Sequence, residues 1–162
     1  MSRATVRAAV AEFFAPPAVP GLNKVFTAMP KRVEGTWFRY GQPAGTLSGM
    51  VAVVHIESED EERIAIGGEH GGKKWVHYTV ALDLYSHSVH RHAEDAMNDF
   101  DAVVDGVKDR LRSDRRLNDW PVIFEAGERQ LSGEYGEPVV NADGSTEIWG
   151  RVRFEVSEVL TT

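Results

Sequence analysis

The chain contains no cysteine. Disulfides, thiolate metal sites and cysteine nucleophiles are therefore excluded, and the redox compartment leaves no mark on the composition. Basic residues are also few: 18 Lys and Arg stand against 25 Asp and Glu, giving a formal net charge of -7 and a pI near 5.4. Phosphate contacts need a surplus of cations, so DNA is disfavoured as a ligand and no sequence-specific nucleic-acid binding is expected. No apolar run approaches the roughly 20 residues that span a bilayer, so no membrane partner is expected either. The first residues are amphipathic, without the continuous apolar middle of a signal peptide; a soluble protein, intracellular when made, is the expectation. GxSxG and HExxH patterns are missing as well, which leaves covalent hydrolase and zincin chemistry without support.

What is present suits one α+β domain. With 162 residues, 42% of them hydrophobic and 27% charged, the chain can bury a single core, while two full domains would be crowded. Its clearest stretch runs from Trp75 to Arg116. Val76, Tyr78, Val80, Leu82 and Leu84 fall on alternate positions with His77, Thr79 and Asp83 between them, the period of a half-buried strand. From Ala93 the period becomes helical: Ala93, Ala96, Met97, Phe100, Val103, Val104, Val107 and Leu111 form one stripe. Glu94 and Asp95 at its start and Lys108, Arg110 and Arg112 at its end complement the helix dipole.

Around this centre the remaining pieces fall in order. Ser2 can cap a short helix with Val6, Ala9, Val10 and Phe13 on one side, stopped by Pro16-Pro17. An extended connection with Val25, Phe26 and Met29 leads to the aromatic cluster Trp37, Phe38 and Tyr40, read as core or interface material. Met50 to Ile56 is nearly all apolar and predicts a strand covered on both faces. Glu57, Glu59, Asp60, Glu61 and Glu62 read as a solvated loop, Arg63 to Ile66 as a short returning strand, and Gly67 to Gly72, around Glu69 and His70, as a flexible contact loop. A phosphate-binding role for that loop is weak because a strand, not a helix, follows it. Val122 to Phe124 and Leu131 to Tyr135 predict two further strands, and Asn141-Ala142-Asp143-Gly144 a turn. In the last strand Ile148, Val152, Phe154 and Val156 alternate with Trp149, Arg151, Arg153 and Glu155, so the C-terminus should finish inside the sheet.

The best enzyme-like feature is His87, His90 and His92, whose imidazoles would have to converge on a transition metal. Their spacing guarantees no such geometry, and a solvated strand-to-helix junction is the preferred reading, with no metal and no cofactor assigned. Asp101, Asp105 and Asp109 recur at helical spacing, with Lys108 and Arg112 each three residues after an aspartate, as on a charged solvent face. Arg110, Arg112, Arg115 and Arg116 could meet phosphate, but basic residues at a helix C-terminus have an ordinary electrostatic reason. No catalytic centre is visible.

The order of a short helix ended by prolines, TWF at Thr36 to Phe38, HYTVALDLYS at His77 to Ser86, DFDAVVDGVKDRLRSD at Asp99 to Asp114 and a closing hairpin carries a resemblance. It resembles the tail terminator proteins of long-tailed bacteriophages, also called tail completion or minor tail U-like proteins, over nearly the whole chain. That resemblance implies an α+β monomer, with a mostly antiparallel or mixed sheet packed on an N-terminal and a longer central helix. It further implies assembly into a ring, typically of six copies, which caps the tail tube, ends its polymerisation and presents a surface for head attachment. The implied partners are the chain itself, the tail tube protein and a head-tail connector protein; the implied place is the head-proximal end of the virion tail, with host cytoplasm during assembly. No catalytic residue is implied. For subunit contacts we single out Glu57, Glu59, Asp60, Glu61, Glu62, Glu69, His70, Trp120 and Trp149 as candidate interface residues. The competing readings are a neighbouring connector protein (stopper or adaptor), a small metal-dependent enzyme using the three histidines, and a monomeric binding module.

Overall fold

A computed structural model describes residues 2–30, 48–65, 72–89, 92–118 and 123–161. Helix α1 (Arg3–Phe14) starts where the Ser2 hydroxyl accepts the Thr5 amide at 3.3 Å. That cap satisfies one of the helix's orphan donors. Its inward side holds Val6, Ala9, Val10, Phe13 and Phe14, all buried. Helix α2 (Ala93–Ser113) carries Glu94 and Asp95 in its first turn and Arg110 and Arg112 in its last, in the sense the dipole favours. Ala96, Phe100, Val103, Val104, Val107 and Leu111 form its buried stripe, but Met97 lies off it and is 43% exposed.

The strands are β1 (Lys24–Phe26), β2 (Gly49–Ala65), β3 (Lys73–Ser88), β4 (Ile123–Tyr135), β5 (Val139–Val140) and β6 (Thr146–Thr161). They form one six-stranded mixed sheet in the order β1-β2-β3-β6-β4, with β5 also on β6. Only the β1–β2 pair is parallel among these. The fold is therefore α+β, two helices with a mixed sheet. Both helices share a core with the inward residues of β2, β3 and β6. Phe14 of α1 meets Phe154 of β6 edge to face at 5.9 Å, and Gly150 lets α2 come close, since a Cβ there would sit 2.7 Å from the Phe100 ring. A smaller cluster, Val51 and Val53 with Phe26 and Tyr85, lies on the opposite face. Met50 to Val54 are buried throughout, as a strand covered on both faces requires.

Four local expectations need correction. Residues Glu57 to Glu62 are not a loop but the distal half of β2, and Arg63 to Ala65 continue that strand instead of returning. The cause is pairing: β2 stays in register with β3 from Gly49↔His87 to Ala65↔Lys73, with bulges between Ile56 and Ser58 and between Arg63 and Ala65. A ladder of this length outweighs the poor strand propensity of acidic residues. Residues 123–124 and 131–135 are pieces of the single strand β4, whose register on β6 shifts between Ala126 and Leu131, while Val122 lies outside the described residues. Val25 and Phe26 belong to β1 rather than to an unpaired connection. The turn before β6 is as expected: Gly144 takes φ +85°, and the Asp143 carboxylate accepts the Ser145 amide at 2.9 Å and hydroxyl at 2.6 Å. Those bonds hold the Asp143 carboxyl below its ordinary value.

Candidate functional site

The sheet face away from the helices carries a row of charges that crosses four strands. Asp83, 1% exposed in the middle of β3, stands opposite Arg151 in the register. It accepts Arg151 through both carboxylate oxygens, the second at 2.9 Å, and lies 3.0 Å from Nε2 of His55. Arg151 also donates to Glu57 at 3.0 Å, Glu57 accepts Arg153 at 2.9 Å, and Arg153 reaches Glu134 at 2.9 Å. Ala81, fully buried between His55 and Arg153 in the register, leaves the space over which Glu57 bridges the two guanidiniums. The Asp83 hydrogen bonds hold the Arg151 guanidinium above its ordinary value despite burial, and Glu57 with Glu134 does the same for Arg153. Alternating signs, each with a partner, fix the lateral register of β2, β3, β6 and β4.

Beside that row, His77 meets a hydroxyl and a carboxylate. Its Nδ1 lies 2.7 Å from Ser157 Oγ and 3.2 Å from Glu155 Oε1. Activating a serine requires the imidazole to hold the hydroxyl with one nitrogen and the orienting acid with the other. Here both partners share one nitrogen. The trio is built as a cross-strand brace.

At the far end of the β2–β3 hairpin the surface is acidic. β1 covers the outer edge of β2 only at Val51 to Val53, so from Val54 to Ala65 that edge has no strand partner among the described residues. The register puts Glu59 and Glu61 on the side of Tyr78 and Val76, and Asp60 and Glu62 on the side of His77 and Trp75. Splitting the carboxylates between the faces spaces them out. Arg3 approaches Glu59 at 3.7 Å and Lys74 binds Glu61 at 2.9 Å. Below Glu59, the Tyr78 hydroxyl donates to the buried Glu158 at 2.7 Å, and burial followed by that carboxylate pushes the Tyr78 phenol above its ordinary value.

At the other end of the sheet, a cleft of about 490 Å³ opens between the first half of α2, the segment before β1 and the start of β2. Ala96, Asp99, Ala102 and Val103 line it on the helix side, Pro20, Met50 and Ser86 among others across from them. On the far side of α2, the corner from β4 to β5 exposes Tyr135 (48%), Val139 (55%) and Val140 (62%).

The predicted interface residues thus divide. Asp60 and Glu62 are exposed, Glu59 and Glu61 are exposed with a basic neighbour each, and Glu57 is spent in the charge row. Trp149 is half-buried, with Gly136 against its ring and the Arg151 guanidinium 5.6 Å above it, so it is braced rather than free. Glu69, His70 and Trp120 lie outside the described residues, as do Trp37, Phe38 and Tyr40. Of the three histidines, His87 sits 3.5 Å from Glu147, His92 is the exposed residue preceding α2, and His90 lies outside the described residues. No group of three potential metal ligands occurs among the described residues. Arg112 pairs with Asp109 at 2.8 Å on the solvent side of α2, and Arg110 stacks 4.3 Å over Phe13, which ties α2 to α1. No helix among the described residues is long and apolar enough to cross a membrane.

The charge row escaped sequence reading because its partners are far apart in the chain: Arg151 and Asp83 are 68 residues apart. Arg151 and Arg153 at alternate positions of a regular strand were the one available signal. Neither a known family model nor a curated protein matches this chain.

Proposed function

We propose that this chain is a structural subunit of a bacteriophage tail, forming a ring that caps the tail tube, ends its polymerisation and offers a surface for head attachment. The observation that carries the reading is the β2–β3 hairpin. From Val54 to Ala65 the outer edge of β2 has no strand partner among the described residues, acidic side chains flank it, and within this stretch the Ile56 carbonyl accepts Arg3 at 3.0 Å. Such an edge is a place for another chain to meet, whereas its carboxylates resist indiscriminate strand addition. The resemblance in element order supplies the setting. The charge row supports a scaffold role, because its charged groups are engaged with one another rather than turned toward a substrate. A net charge of -7 also suits a passage for DNA, which like charges keep from sticking within about one Debye length, roughly 8 Å at physiological salt.

The test is to add the purified protein to polymerising cognate tube protein and measure tube lengths and tips by negative-stain electron microscopy. Short tubes with capped ends are expected. Unchanged lengths with bare ends would remove the terminator reading, and binding to the head connector alone would point to a stopper or adaptor.

A further inference from the structure

We propose that the cleft beside α2 receives the β4–β5 corner of a second copy of this chain, making the head-to-tail contact of a ring; the inference rests on the ring reading above. A heterologous ring contact needs two different surfaces on opposite flanks of the subunit, at matching height. The register supplies both conditions. Val139 pairs with Glu147 and Val140 with Thr146, while Glu147 and Thr146 pair on their other side with His87 and Ser88, which line the cleft. Corner and cleft therefore stand at the same end of the sheet. Helix α2 separates them: Phe100 and Lys108 face Tyr135, at 6.5 and 5.7 Å, while Ala96, Asp99 and Val103 turn to the cleft.

Their chemistry matches. The cleft wall is largely apolar, with Pro20, Met50, Ala96 and Val103, and the corner shows Tyr135 and two valines, each about half exposed or more. Burying what remains exposed of these side chains removes apolar surface from water, the main favourable part of association before ordering costs. Lys108 of α2 brings a positive charge beside Tyr135 that can meet Asp99 of the cleft, whereas the exposed Glu137 between β4 and β5 must turn away from it. Like-with-like pairing along the β2 edge is disfavoured by comparison, since antiparallel copies would set Glu59 to Glu62 against themselves.

The absence of native cysteine makes the test clean. Val140→Cys and Ala102→Cys place one thiol on the exposed corner and one on the exposed side of the cleft. With a short bis-maleimide, the double variant, assembled alone or on tube tips, should give a ladder of covalent multimers, and each single variant should assemble without becoming cross-linked. Covalent dimers from Val140→Cys alone would mean that corners meet corners, which overturns the proposal. Rings seen by light scattering or microscopy without a ladder overturn it too, leaving the ring reading intact. Neither rings nor ladder, with or without tubes, removes both. Val140→Glu is the second variant: its melting temperature should stay within about 2 °C, while assembly weakens at least tenfold. Wild-type assembly by that variant would also overturn the proposal.

Discussion

The two halves of β2 share one backbone ladder and almost nothing else. From Met50 to Val54 every residue is buried, with the helices on one side and the Phe26–Tyr85 cluster on the other. From Glu57 to Ile64 every residue is exposed. The first half holds the strand in place by burial, and the second is held by its hydrogen bonds to β3 and by pairs such as Glu61–Lys74. The contrast teaches that a strand can be extended well beyond its core once its register is set there. Substitutions with opposite demands on the two halves should separate these contributions.

The largest effect is expected in the buried half. Val54→Asp places a carboxylate where 1% of the side chain meets solvent, at a cost on the order of 3 kcal/mol or more. Thermal unfolding should fall by roughly 10 °C. A melting temperature near wild type would show that the root of β2 is far looser than its burial indicates. Next comes the residue where the halves meet through β3. Asp83→Ala leaves the Arg151 guanidinium and His55 without their buried acceptor and should cost about 2–4 kcal/mol in urea unfolding; Arg151 is itself a quarter exposed, which trims the loss.

How far these features are visible in the sequence follows from the same contrast. β3, β6 and α2 are legible because their apolar residues keep one period for several turns or alternations, and Ser2 and Asn141 to Gly144 are legible because caps and turns are local chemistry. The distal half of β2 is not. Its residues have low strand propensity, and what makes them a strand is β3, a partner that local pattern does not reveal. The candidate surfaces fare worse, since the charge row, the cleft and the β4–β5 corner are assembled from segments brought together only by the sheet order. Trp149 illustrates the loss: alternation places it on the outer face beside Arg151 of the same strand, but only the pairing of β4 with β6 brings Gly136 against it.

A smaller effect is expected under Glu59. Tyr78→Phe removes the donor to the buried Glu158 carboxylate and should cost about 2 kcal/mol at neutral pH. Because the folded-state phenol is raised above its unfolded value, its contribution is complete below about pH 10 and fades as pH climbs above that, where the unfolded chain alone ionises. The alkaline decline of wild-type stability should therefore be steeper than that of the variant by up to one proton, about 1.4 kcal/mol per pH unit. Parallel declines between pH 9 and 11 would remove Tyr78 as the group responsible.

The smallest change in stability, and the sharpest test of the comparison, comes from neutralising the exposed half. Replacing Glu59, Asp60, Glu61 and Glu62 together by Thr raises strand propensity and discards only exposed pairs, each worth less than about 1 kcal/mol. Unfolding should move by no more than about 1 kcal/mol in either direction. What should change is association: the edge from Val54 onward keeps its lack of a strand partner among the described residues but loses the like charges that keep a second edge away. Light scattering should then report larger species, and they should persist when Val140→Glu is added, because edge pairing does not use the β4–β5 corner. A quadruple variant that stays monodisperse would mean that the carboxylates are not the guard of this edge. A variant that loses several kcal/mol would mean that they hold the hairpin together, and the two halves of β2 would then differ less in energy than in composition.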